Sequence, residues 1–296
     1  MSHSKEYDDY VLKDLKKYAG LMHPVKASLI ERLIVRKVKI QKLHPNPEDE
    51  FSMPDIGPNY RIVQDYVQRY LKLRTISIRP TYDMLVDPLT VEKVKPNGYM
   101  LLNGHHRWLA AHVLNDSKME IRIVNITHES EILRAMRSTQ NKICVSFDLD
   151  EVILAEEGSE HTEKKPLNPL VLGCRERIRE GVPALIDALH RMGCDIWVYT
   201  GSYASEKYIR TLLRPYHVHV DGVVNGMKNR KTDKELSVRF RERYEVSVHV
   251  DTESVTCVDT KSKNYEMTDL RNGPSVWASE AIGIIRGTDM VKKALQ

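Results

Sequence analysis

The sequence predicts a two-part α/β protein: an α+β unit followed by a parallel sheet with helices on both faces. Three observations predict it. In the second half, short apolar runs alternate with helical patterns of about ten residues, the rhythm of βαβ units. In the first half, short strands alternate with turn-rich stretches such as His44-Pro45-Asn46-Pro47 and Lys95-Pro96-Asn97-Gly98. The length, 296 residues, suits two domains of ordinary size, and the polar segment His128–Gln140 falls between the two patterns.

Residues 1–36 read as an N-terminal helical segment, with Tyr10, Leu12, Leu15, Leu29 and Leu33 at helical spacing and Pro24 interrupting them. Residues 37–127 form the first domain. Its elements are a strand at Val38-Lys39-Ile40, a helix over Tyr60–Leu71, strands at Leu89-Thr90-Val91 and Tyr99–Leu102, a helix over Trp108–Leu114 and a strand at Ile121–Ile126. Residues 128–140 form an amphipathic connecting helix, and residues 141–296 the second domain. That domain opens with the apolar strand Ile143–Phe147. A helix (Val182–Arg191), a strand (Asp195–Tyr199), a helix (Ser205–Leu213), a strand (Gly222–Val224), a helix (Lys234–Tyr244) and a strand (Val246–Val250) follow. No repeat or low-complexity tract interrupts this order.

Hydrophobic residues at 41% and charged residues at 29% give a soluble globular balance. No apolar run approaches the roughly 20 residues that span a bilayer, and the N-terminus is too polar for a signal peptide, so a cytoplasmic protein without membrane association is expected. Cys144, Cys174, Cys194 and Cys257 form no C-x-x-C pair, which argues against a structural zinc site or a disulfide framework. Cys144 and Cys194 lie in apolar runs and read as buried hydrophobes. The net charge of +4 is mild and dispersed, and aromatic and basic residues are not interleaved. A nucleic-acid-binding adaptor is therefore the less favoured class.

The strand Ile143–Phe147 runs directly into Asp148-Leu149-Asp150-Glu151-Val152. Ligands of open parallel sheets collect at the carboxyl ends of the strands, so two carboxylates at this point are placed for chemistry. One carboxylate can attack phosphorus, and the other can protonate the leaving oxygen and then deprotonate water. Two anions facing a phosphate call for a hard cation, and Mg²⁺ meets that need. An isolated D-x-D is more often an ordinary polar loop. Here, however, Ile196–Tyr199 ends in Thr200-Gly201-Ser202, Val246–Val250 ends in Asp251, and Lys228, Lys231 and Lys234 lie between them.

This order resembles the haloacid-dehalogenase superfamily over residues Asn141 to about Val255, and most closely its minimally capped phosphatases, with Arg179-Glu180-Gly181-Val182 aligned to the family's R-P-G-V stretch. The resemblance implies a HAD-like Rossmannoid parallel sheet and Mg²⁺-dependent hydrolysis of phosphomonoesters through an aspartyl-phosphate. It assigns Asp148 as nucleophile, Asp150 as acid/base, Thr200 as phosphate ligand and Lys231 as the motif lysine, with Asp148, Asp150 and Asp251 at the metal. Where the family has two adjacent acidic residues, this chain has Asp251-Thr252-Glu253. Lys231 has the usual spacing to Asp251, and Lys234 the small-phosphatase spacing. The stretch Ala155–Cys174 reads as an irregular flap, implying an open site for a phosphorylated substrate.

A second motif, Asn103-Gly104-His105-His106-Arg107, lies between a strand and a helix. A helix start carrying two imidazoles and a guanidinium can hold an anion; the simpler reading is a capped helix with a surface ion pair. The surrounding pattern over residues 37–127 resembles the ParB/sulfiredoxin superfamily, and the motif is nearest the D-G-H-H-R signature of free serine kinases. That resemblance implies a site for ATP, ADP or another nucleotide made by Asn103, Gly104, His105, His106 and Arg107, with a catalytic glutamate at Glu48 or Glu50. Imidazoles facing phosphate would tighten binding below about pH 6.5. Where the kinases have Asp this chain has Asn103, and where sulfiredoxins have their cysteine it has His105. Together the motifs imply a phosphatase with an accessory nucleotide-binding domain, or a bifunctional kinase and phosphatase.

Overall fold

Two mixed sheets organise the chain, one in each of its two units, residues 1–125 and 126–296. The computed structural model describes residues 2–18, 20–75, 87–166, 176–226 and 231–296, with backbone alone at 2–8 and 231–234.

The first unit contains α1 (Ser2–Tyr18), β1 (His23–Pro24), α2 (Leu29–Leu33), β2 (Arg36–Lys39), β3 (Leu43–His44) and α3 (Tyr60–Thr75). It continues with β4 (Leu89–Lys95), β5 (Tyr99–Asn103), α4 (His105–Val113) and β6 (Lys118–Val124). The expected helical segment breaks into α1, β1 and α2. Pro24 lacks the N–H that a helix interior needs, and its stretch pairs with β4 instead. The chain re-enters a helix at Ser28, whose hydroxyl accepts the Glu31 N–H while Glu31 reaches back to the Ser28 N–H. The sheet runs β2-β6-β4-β5-β3, with β4/β6 and β3/β5 parallel and β2/β6 and β4/β5 antiparallel. Leu89, Val91, Leu101, Ile121 and Ile123 bury one face against Trp108 and Leu109 of α4, while Val63 and Val67 of α3 close the core.

The second unit begins with α5 (Glu129–Arg137), β7 (Ile143–Asp148) and a single π-helical turn, Leu149–Ile153. It continues with α6 (Val182–Arg191), β8 (Cys194–Thr200), α7 (Glu206–Leu213), β9 (Gly222–Asn225), α8 (Lys231–Arg243) and β10 (Val246–Val250). β11 (Ser254–Val258), β12 (Ser262–Glu266), α9 (Pro274–Gly287) and α10 (Asp289–Ala294) complete it. The strand order is β12-β11-β10-β7-β8-β9. The four central strands β10, β7, β8 and β9 are mutually parallel, as their near-continuous apolar character requires. The all-parallel expectation needs one correction: β11 and β12 form an antiparallel hairpin that extends the β10 edge. Alternating burial of Val255 and Cys257 in β11 is the period-2 signal of a half-covered strand.

Helices cover both faces of this sheet. Leu185 and Leu189 of α6, Ile209 of α7 and Trp277 and Ala281 of α9 pack with Ile143, Val145 and Phe147 on one face. Ile132 and Met136 of α5 and Leu236 and Phe240 of α8 pack with Cys144, Trp197 and Val224 on the other. The segment expected to be a connecting helix is thus a covering helix of the second unit. Arg243 fixes its exit by donating to the carbonyls of Met136 and Asn141 at 2.9 and 3.0 Å. Below it, the buried Asp195 carboxylate accepts from Thr139 Oγ1, Asn141 Nδ2 and Tyr244 OH at 2.9, 2.7 and 2.8 Å. Cys144, Cys194 and Cys257 are buried free thiols; Cys174 lies outside the described residues.

Candidate functional site

Parallel strands bring their carboxyl ends to one edge, and the register fixes which residues meet there. Phe147 pairs with Val250 and Asp148 with Tyr199. Asp148, Asp251 and Thr200 therefore stand at the carboxyl ends of three neighbouring strands, β7, β10 and β8. Asp148 is half-buried. Its Oδ1 accepts the N–H groups of Asp150 and Glu151 at 2.7 and 2.8 Å, capping the π-turn, while Oδ2 has no partner among the described residues. Asp150, exposed on the first turn, accepts the Thr200 hydroxyl at 2.5 Å. Thr200 is itself buried, takes the Ser202 N–H at 2.9 Å and lies 2.9 Å from the Ser202 hydroxyl.

Two residues at this edge carry a role that the sequence reading did not assign. Asn225, buried at the end of β9, donates to the Ala204 carbonyl and accepts from Thr127, and the Gly226 N–H binds the Ser202 carbonyl. These bonds clamp the loop that follows Thr200. Arg179 is buried, and its guanidinium donates to the carbonyls of Val152, Glu151 and Leu154 at 3.1, 3.0 and 2.9 Å. Loss of solvent lowers its pKa from the ordinary arginine value, an effect that Glu156 opposes. A polar run such as Arg179-Glu180 ahead of a helix gives no hint in sequence of which carbonyls it will serve. The flap runs without regular structure through 155–166, held by single bridges of Leu154 to Ile178 and Thr162 to Arg179; the rest of it, 167–175, lies outside the described residues.

Asp148 and Asp251, at the ends of adjacent strands, are hard oxygen donors of the type and number that Mg²⁺ takes when water and a substrate phosphate complete its shell. The expected three-carboxylate set of Asp148, Asp150 and Asp251 is not assembled: among the described residues no three His, Cys, Asp or Glu side chains gather for a metal. The reason is local, since the Asp150 carboxylate is taken by Thr200 on the adjacent strand. Lys231 is the first residue of α8, Lys234 follows one turn later, and Lys228 lies outside the described residues.

The second motif folds differently from the expected phosphate cradle. Gly104 is left-handed, with φ +98°, and a Cβ there would lie 2.5 Å from Leu89 and 2.8 Å from the Arg107 guanidinium, so only glycine starts α4 in this way. His105 is buried, and its Nε2 accepts the Asn46 N–H at 3.2 Å. That bond places its proton on Nδ1, 3.6 Å from Asp49. His106 Nε2 accepts the Asn59 N–H at 3.1 Å. Arg107 is buried and donates to the Asp87 carbonyl at 2.5 Å. The three side chains thus tie three separate backbone segments to α4 instead of converging on one ligand point. Asn103 is exposed at the end of β5, and Glu48 and Glu50 are exposed on the loop that carries Asp49. Burial lowers the His106 pKa, with Asp49 opposing.

Comparison with known proteins supports the first unit in part. Residues 63–140 match the ParB N-terminal domain family, so the chain carries a ParB-like domain, and the match extends through α5 into the second unit. No curated protein is similar enough in sequence to match. Among solved structures, a free serine kinase mutant in complex with AMP is similar at 9% identity and TM-score 0.23, covering 88% of this chain and 82% of that one. A second free serine kinase mutant, in complex with ADP, gives 10% and 0.23 over 89% and 85%. A conserved hypothetical protein from Pyrococcus furiosus gives 12% and 0.24 over 82% and 98%. TM-scores this low do not establish a shared fold. Among the described residues no helix is long and apolar enough to cross a membrane.

Proposed function

We propose that the second unit is a Mg²⁺-dependent phosphomonoester hydrolase of the haloacid-dehalogenase type. The observation that carries this reading is the placement of Asp148, Thr200 and Asp251 at the ends of three adjacent parallel strands, with Asp150 hydrogen-bonded to Thr200. Asp148 Oδ2 is the free carboxylate oxygen that attacks phosphorus, while Oδ1 is held by two N–H groups that fix its direction. Asp150 passes its proton to the leaving oxygen and takes one from the water that follows. Thr200 orients Asp150. Asp148 and Asp251 would hold Mg²⁺, which would supply neutralisation of the phosphoryl charge, and Lys231 would add to it. Hydrolysis of nitrophenyl phosphate by the full chain, with and without Mg²⁺, tests the reading directly. Metal-dependent turnover that disappears in Asp148→Asn is expected, and turnover retained in that variant overturns it.

A second reading concerns the first unit. In this reading the ParB-like domain holds a nucleotide site near the start of α4, suggested by the Asn103-Gly104-His105-His106-Arg107 motif, as an accessory to the hydrolase. With His105, His106 and Arg107 engaged by the backbone, the ligand groups on offer there are the exposed Asn103, Glu48 and Glu50. Calorimetric titration of the protein with ATP, ADP and CTP tests it, and affinities weaker than millimolar for all three remove it.

A further inference from the structure

We infer that Arg179 is a positioning residue for the reacting carboxylates, setting the geometry of the turn that carries Asp148 and Asp150. The inference rests on the hydrolase reading for its consequence on rate, though not for its structural content.

The turn Leu149–Ile153 is a single π-helical turn, closed at its far end by the Leu154 N–H donating to the Leu149 carbonyl. A turn this short leaves the carbonyls at its far end without internal partners. Val152 and Ile153 are fully buried, so water is not at hand to replace those partners. One side chain meets the need. The Arg179 guanidinium takes the carbonyls of Glu151, Val152 and Leu154, and the Arg179 N–H takes that of Ile153 at 2.9 Å. At the near end the Asp148 carboxylate holds the N–H groups of Asp150 and Glu151. The turn is thus pinned at both ends, by the nucleophile on one side and Arg179 on the other. The peptide units of Asp150 and Glu151 lie between the two pins.

Arg179 is an expensive choice for packing alone. It is 4% exposed, and among the described residues no carboxylate lies within ion-pair distance of it. Its donors go to carbonyl dipoles, with Glu156 and Asp269 acting from farther off, and such dipoles bind a guanidinium only when the acceptors are fixed in its plane. Lysine carries the same charge but offers a single point of donors that cannot span acceptors belonging to three residues. The backbone on either side of Arg179 also pairs with the flap, the Glu163 N–H donating to the Ile178 carbonyl and the Glu180 N–H to the His161 carbonyl.

The test compares full-length wild type, Arg179→Lys and Arg179→Ala. With Mg²⁺ and nitrophenyl phosphate, Arg179→Lys should lose on the order of 10²-fold in kcat, the scale of a displacement of about 1 Å at a reacting group, with KM changed only a few-fold. Millimolar guanidinium should restore part of the turnover of Arg179→Ala. Amide exchange supplies a readout independent of activity: the segment 149–154 should exchange at least tenfold faster in Arg179→Lys while β8 and β10 keep their protection. Unchanged exchange in 149–154, or loss of protection uniformly across the sheet, overturns the inference. So does local acceleration with wild-type kcat. If the wild type shows no turnover that depends on Asp148, the hydrolase reading falls, and the exchange arm still decides whether Arg179 holds the turn.

Discussion

The turn after β7 and the turn after β5 both deliver a charged motif from a strand end into a helical turn, and they use their polar atoms in opposite ways. After β7, Asp148 spends one carboxylate oxygen on two N–H groups and leaves the other open at the sheet edge, beside Asp251. After β5, His105, His106 and Arg107 each meet a backbone group: Asn46, Asn59 and Asp87. Residue type did not separate the two cases, because both motifs carry groups suited to phosphate chemistry, carboxylates that act with a cation in one and imidazoles with a guanidinium in the other. Orientation did. A carboxylate at the end of a buried strand has no backbone to face except its own turn, whereas side chains on the first turn of α4 face the long loop over residues 44–59. His105 and His106 serve N–H groups of that loop, at Asn46 and Asn59, while Arg107 serves the Asp87 carbonyl outside it.

The largest effect expected from this contrast is at Asp148. Asp148→Asn should lower kcat by several orders of magnitude while leaving the melting temperature nearly unchanged, since the amide oxygen still accepts the two N–H groups. Steady-state kinetics beside a thermal melt checks both halves. A large loss of stability would make Asp148 a structural cap like its counterparts in the first unit.

A smaller effect is expected at Thr200. Thr200→Val keeps the volume of a buried side chain and removes the hydroxyl held by Asp150. A loss of about 10²-fold in kcat, equivalent to about 2.7 kcal/mol, is expected with KM little changed. Wild-type kcat would detach Asp150 from the chemistry.

In the first unit the same kind of experiment should read out as stability. Arg107→Ala removes a buried guanidinium and leaves the Asp87 carbonyl without its donor, at a cost of about 2–3 kcal/mol by denaturant titration. If stability is unchanged and nucleotide binding is lost, the motif is a ligand site and the contrast with the β7 turn collapses.

The smallest effect is a pH dependence. His112 is partly buried against Tyr10 and Trp108, its Nε2 has no partner among the described residues, and burial lowers its pKa to about 4, with Asp14 opposing. The folded value lies below the unfolded one, so this contribution to stability is present above about pH 6.5 and is lost as the pH falls toward about 4. Its size is on the order of 1–2 kcal/mol after allowance for partial exposure. Melting temperatures of wild type and His112→Phe, measured from pH 7 to 4, should converge at the acid end. A constant offset would remove His112 from the pH dependence.

Much of the second unit was legible in the order of its residues. Ile143–Phe147, Asp195–Tyr199 and Val246–Val250 are short apolar runs separated by amphipathic helices, and their buried strands fall within one residue of the expected bounds. The hairpin Ser254–Glu266 was missed: its polar half resembles loop sequence, and β12 is an exposed edge with little apolar signal. The long helix α9 also went unread, although Trp277, Ala278, Ala281 and Ile285 carry helical spacing.

The sequence by itself determined that a D-x-D follows an apolar strand, that Thr200 and Asp251 follow two others, and that a glycine opens the NGHHR helix. Those are local facts, fixed by periodicity and by the backbone needs of a single turn. Only the tertiary structure decided which partners these groups take. It set Asp148 beside Asp251 through the β7/β10 register and gave the Asp150 carboxylate to Thr200. It turned His105, His106 and Arg107 toward loop backbone and brought Arg179, 27 residues from Val152, onto the carbonyls of the candidate catalytic turn. Hydrogen bonds between distant segments depend on directions in space, and those follow from how strands pair and helices pack, which no short stretch of residues encodes.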